Sequence, residues 1–295
     1  LRDFKETYKE TIAHGLTVAR DAGVDAVFDM PNTDPPVTTR EMVEQRLQRA
    51  AEANVPEVFY GVYMGLTADP EQIKRAIKTY HSFFPRVVGL KLYAGPSVGT
   101  LGVKTDENQR LVYQTLTAEG YDGVLAVHAE KESRFRPNAW NPGEPITHCY
   151  ARPELAEFGS VRDQLNLMRM TGFKGKLHLT HVSIPPALEI IKQAKGEGID
   201  VSCGVCPHHL LYDYEKMKGK QGVLWKMNPP LRPPEFREQI EYYLKEGLID
   251  WIETDHAPHM LTEKLRPPYC SGIPGLPWWP LFDRWLEAQG FSEQE

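Results

Sequence analysis

Short apolar runs alternate with amphipathic stretches of helical period along nearly the whole chain. Residues 4–22 read as a helix, and residues 24–30 as a strand that Pro31 ends. A helix over 38–54 follows, with Thr38 or Thr39 as N-cap and Glu41 in its first turn. The pattern continues with a strand at 58–63, a helix at 69–81, a strand at 87–93, a helix at 106–119 and a strand at 123–128. A Pro-rich loop over 133–151 leads into a helix at 153–170 and a strand at 176–181. Residues 185–196 (helix), 199–203 (strand), 234–246 (helix), 248–254 (strand) and 281–288 (helix) complete the series.

Seven strands separated by helices predict a parallel sheet. No Gly-rich phosphate loop follows any of the strands. The polar residues with chemical potential fall instead at the strand ends: Asn32, Lys91, His128, His181, His208 and Asp255. A (β/α)8 barrel of the TIM type builds its site from the C-terminal ends of many strands. A doubly wound sheet concentrates its chemistry at one switch point. The expectation is therefore an α/β barrel forming one domain over residues 1–295. Its first strand would lie upstream of Leu1, leaving the domain incomplete at both ends.

Composition narrows the function classes. The 34 basic and 40 acidic residues leave a net charge of −6, which offers no footprint for nucleic acid or an anionic membrane. No apolar run reaches the length of a membrane-spanning helix, and no signal peptide opens the chain. Four cysteines in 295 residues do not make a disulfide framework and fit a reducing cytoplasm. Cys203 and Cys206 lack a second Cys-x-x-Cys pair, so they read as structural thiols rather than a zinc ribbon.

Lys91 stands out, because an ammonium in Val-Val-Gly-Leu-Lys-Leu-Tyr is costly to bury. It either snorkels to water or is forced neutral and becomes reactive toward carbonyl compounds or carbon dioxide. A carbamylated lysine carries two oxygens that could bridge two metal ions. His128 and His181 each end a strand, whereas His178, three residues earlier, is expected on the opposite face. Asp255 ends the strand in Leu248-Ile-Asp-Trp-Ile-Glu-Thr-Asp-His-Ala-Pro-His259, followed by His256 and His259. Imidazoles and a carboxylate make a donor set that zinc accepts. His208 and His209 read as packing and supporting hydrogen-bond groups.

Seven stretches then carry a resemblance. Met30-Pro-Asn-Thr-Asp-Pro-Pro36, Gly89-Leu-Lys-Leu-Tyr93, Val127-His-Ala-Glu130, His181-Val-Ser183, Pro207-His-His-Leu-Leu211, Asn228-Pro-Pro-Leu-Arg232 and Thr254-Asp-His-Ala-Pro-His259 occur in this order over most of the chain. Together they resemble the dihydroorotase family of the amidohydrolase superfamily. Dihydropyrimidinase and allantoinase share the metal residues, but the Pro-Asn-Thr and Asn-Pro-Pro-Leu-Arg stretches are more typical of dihydroorotase.

The resemblance implies roles at matching positions. Lys91 is similar to the carbamylated lysine that bridges two zinc ions. His128 and His181 would ligate one metal, and Asp255 the other while shuttling a proton. Arg2, Asn32 and His259 would hold the substrate carboxylate, and Asn228, Ser271 and Gly272 the pyrimidine ring. The implied reaction is the reversible cyclisation of carbamoyl aspartate to dihydroorotate, in a homodimer or a complex with aspartate transcarbamoylase. A non-catalytic homologue that scaffolds that transcarbamoylase is the alternative from another class.

One part of the family pattern falls outside the chain. The family carries a His-x-His pair at the end of the first strand, and Leu1-Arg2-Asp3 resembles the tail of that run. The small flanking β-structure of the family is also absent from the 295 residues. These residues alone are therefore expected to bind metal poorly and to have little activity.

Overall fold

The structure is a computed structural model and describes residues 1–96 and 99–291. The strands are β1 (Ala26–Asp29), β2 (Phe59–Gly65), β3 (Val87–Tyr93), β4 (Val124–His128), β5 (Lys176–Leu179), β6 (Val201–Val205) and β7 (Trp251–Ile252). They pair in chain order, all parallel, as one curled sheet of the barrel kind with helices packed outside. Such strands are covered on both faces and need apolar residues throughout. In β3 every residue but Val88 is buried. The main core continues between sheet and helices through Leu16, Val43, Ile73, Leu116, Leu165 and Leu188.

Register sets the site. Lys91 lies opposite Ala126, and Tyr93 opposite His128, so the ends of β3 and β4 are level. Side chains alternate across a strand, which puts Lys91 and Tyr93 on the concave face. The helices start where capping chemistry is available: Thr11, Thr39 and Thr105 each accept a backbone N–H from the first turn.

Three expectations change in detail. The helix expected over 4–22 is interrupted, because Asp3 adopts a positive φ and its carboxylate accepts N–H groups from both Phe4 and Ile12. Residues Phe4–Glu6 form a 3-10 turn, and the α-helix begins at Ile12. The strand expected at 248–254 shrinks to Trp251–Ile252 because it pairs with β6 alone. At the two free edges Phe28 of β1 and Trp251 of β7 are exposed. The stretch 133–151 is not featureless: it holds two 3-10 turns and the helix Thr147–Ala151. That helix contributes Cys149 to a satellite core with Met217, Met227 and Leu231.

Candidate active site

A cavity of about 520 Å³ occupies the concave side of the sheet. Arg2, Asn32, Lys91, His128, His181, Asn228, Asp255, Ser271 and Gly272 all line it. Of the residues expected in the site, only His259 stands behind the wall, its Nε2 3.0 Å from the Ser271 carbonyl.

The ends of β3, β4 and β5 meet most closely. His128 Nδ1 and His181 Nε2 lie 2.9 Å apart. Lys91 Nζ donates to Thr180 Oγ1 at 3.0 Å, and that hydroxyl is 3.3 Å from His181 Nε2. All four side chains are buried. Two imidazole nitrogens sharing a tetrahedral zinc at about 2.0–2.1 Å sit roughly 3.3 Å apart, so this pair is close to ligand spacing. The far nitrogens, His128 Nε2 and His181 Nδ1, are buried without hydrogen-bond partners. His128 Nε2 nevertheless lies 3.3 Å from a Glu130 carboxylate oxygen, which Arg152 ion-pairs. A carboxylate behind an imidazole is the usual means of orienting a metal-binding ring. By donor type and convergence, these residues fit a metal.

Burial tunes the ionisable groups. It pushes both imidazoles toward the neutral form a ligand needs. It lowers Lys91 to about 8 against the opposing charges of Glu253 and Asp255. Burial, reinforced by the Glu253 charge, raises Asp255 to about 7. His181 and Asp255 adopt positive φ, at 42° and 44°. Such backbone is unfavourable for residues with a Cβ and collects at functional sites.

The turn at His181 overturns one expectation. His178 does not face away, because the left-handed residue 181 breaks the alternation and both His178 and His181 line the cavity. His178 Nδ1 is 2.9 Å from Ser202 Oγ, and its Nε2 meets Glu253. Glu253 was not among the expected site residues, yet it also accepts the His181 N–H at 3.2 Å. Its two-residue offset from Asp255 was the available signal, since i and i+2 share a face.

Around the cavity, Arg2 is buried and its carbonyl accepts from Arg46. Asn228 Oδ1 lies 3.1 Å from His148 Nε2. Gly272 has a φ of 138°, and a Cβ there would stand 2.6 Å from the Ala257 carbonyl oxygen, so only glycine fits. Burial and the cations Arg2 and Lys9 lower His259 to about 4. His209 Nε2 is 3.3 Å from the Pro229 carbonyl, in keeping with a packing role. Among the described residues two further groups gather three donors within 4.8 Å: Cys206 with His208 and His209, and His259 with Glu263 and Cys270. The Asp255 carboxylate does not come that close to both His128 and His181. No described helix is long and apolar enough to cross a membrane.

No family model matches the chain. Curated relatives do. A dihydroorotase of Aeropyrum pernix is 33% identical over 297 residues, covering 99% of this chain and 64% of its own length. A dihydroorotase of Lactobacillus acidophilus is 32% identical over 267 residues, covering 89% of this chain and 59% of its own length. The chain thus spans about three-fifths of the length of these relatives. Among solved structures, L-hydantoinase (dihydropyrimidinase) from Arthrobacter aurescens superposes with a TM-score of 0.77 at 26% identity, over 89% of this chain and 58% of that one. The chain is homologous to the curated dihydroorotases over nearly its whole length and shares the fold of a solved hydantoinase.

Proposed function

We propose that these residues form part of the site for the dihydroorotase reaction, the reversible cyclisation of N-carbamoyl-L-aspartate to dihydroorotate, in which a carbamylated Lys91 would help to hold zinc. The observation that carries the reading is the meeting of His128 Nδ1 and His181 Nε2, 2.9 Å apart, beside the buried Lys91. Relatives named dihydroorotase at 32–33% identity support the substrate.

Opening a cyclic amide at neutral pH needs a better nucleophile than water. Zinc when bound supplies that, lowering the pKa of water from 15.7 to about 7 and polarising the ring carbonyl. Lys91, His128 and His181 would hold one metal, and Lys91 with Asp255 the other. Asp255, which lines the cavity, can take the proton of the attacking water and deliver it to the departing ring nitrogen. The Arg2 fork matches a planar carboxylate, with Asn32 beside it on the cavity wall and His259 behind Ser271. Asn228, Ser271 and Gly272 contact the ring. A buried guanidinium left unpaired would penalise rings that lack the carboxylate.

Substituting Lys91→Ala in the naturally expressed protein tests the assignment. Bound zinc should fall and turnover of dihydroorotate should drop by more than about 100-fold. Unchanged zinc content and rate would refute it.

A further inference from the structure

Two lysines beyond the residues assigned above act on the same cavity from behind. Lys264 is buried, and its ammonium donates to the carbonyls of Lys226 at 2.9 Å and Gly272 at 2.7 Å. Half-buried Lys226 donates to the Tyr269 carbonyl at 2.7 Å and to Ser271 Oγ at 2.9 Å. Its ammonium also stands 5.2 Å over the Trp140 ring. The Gly272 N–H returns to the Lys226 carbonyl at 2.8 Å. These bonds tie the segment carrying Asn228 to the segment carrying Ser271 and Gly272, and all three residues line the cavity.

Among the described residues neither ammonium lies within 4.0 Å of a carboxylate. Burying a cation without a counter-ion is costly, and desolvation accordingly pushes Lys264 down to about 7 and Lys226 down to about 8. Such groups persist where their hydrogen bonds hold something in place. Two of the three carbonyls they bind, those of Tyr269 and Gly272, belong to a stretch without helix or strand whose backbone groups need partners from elsewhere.

We propose that Lys226 and Lys264 are positioning residues that lock Ser271 and Gly272 at a fixed distance from Asn228, so that the three grip the substrate ring as one surface. This rests on the reading of those three residues as ring contacts.

The test compares Lys226→Met, Lys226→Arg and Lys264→Met in the naturally expressed protein by steady-state kinetics on dihydroorotate and by amide hydrogen exchange over residues 266–274. Loss of a charge-assisted hydrogen-bond pair should raise KM about tenfold or more. The kcat should stay within about threefold, the signature of lost binding rather than lost chemistry. Exchange over 266–274 should quicken in both Met variants, and Lys226→Arg, which keeps a donor, should restore most of KM. A merely structural role would lower thermal stability and leave KM alone, and that result overturns the proposal, as does unchanged exchange. If Lys264→Met does not fold, the half-buried Lys226 pair still decides. If the parent protein does not turn over dihydroorotate, the substrate reading fails, while the exchange comparison still tests the lock.

Discussion

Replacing Arg46 with Met should destabilise the protein strongly and in a pH-dependent way. Arg46 is fully buried and pairs with the carboxylate of Asp29. It also donates to the carbonyls of Arg2 at 3.1 Å and Leu1 at 2.9 Å. Tyr60 adds its hydroxyl to Asp29 at 2.7 Å. Burial alone would raise Asp29; the Arg46 guanidinium beside it opposes that, and the carboxyl lies below its ordinary range. Methionine retains bulk but leaves the carboxylate buried with fewer partners, a change that costs about 3–5 kcal/mol. The folded-state pKa is depressed, so the Asp29 contribution is complete well above the unfolded value of about 3.9 and is lost as pH falls below it. The gap between parent and variant in urea unfolding should therefore be widest at pH 7 and should narrow at pH 3. A gap under about 1 kcal/mol at pH 7 would contradict the pairing. A gap equally wide at both pH values would contradict its electrostatic origin.

Two further substitutions probe the walls of the cavity. A Cβ at Gly204 would stand 2.0 Å from a Glu253 oxygen, so Gly204→Ala should displace Glu253 and cost about 1–3 kcal/mol in thermal or urea unfolding; an unchanged midpoint would show that the carboxylate moves freely. His148 Nε2 lies 2.9 Å from the Met227 carbonyl and 3.1 Å from Asn228 Oδ1. His148→Phe keeps the ring and loses both contacts, and KM for dihydroorotate should rise about three- to tenfold with kcat little changed; an unchanged KM would free Asn228 from that dependence.

How much of this could be read from the residues differs by element. Residues 87–93 and 185–196 form their strand and helix with the boundaries that the pattern predicts, because an unbroken apolar run and a Pro-Pro start leave little choice. The gathering of Lys91, His128, His181 and Asp255 at the cavity follows from their places at strand ends in a parallel sheet. The side on which His178 lies did not follow, since periodicity assumes extended backbone and His181 has a φ of 42°. The break near residues 7–11 was hidden because it depends on the Asp3 carboxylate reaching Ile12, nine residues away. Lys226 and Lys264 were invisible for another reason. Their partners are mostly backbone carbonyls, which every sequence supplies, and they lie in segments without periodicity.

The cyclic amide that the site opens decides its assignment. Dihydroorotate, dihydrouracil, hydantoin and allantoin should be assayed side by side at equal metal loading in the naturally expressed protein. A kcat/KM for dihydroorotate at least about 100-fold above the others, the discrimination expected when a buried Arg2 must find a carboxylate, is the predicted result. A preference for hydantoin or dihydrouracil would assign the site to the hydantoinase type of its structural neighbour instead.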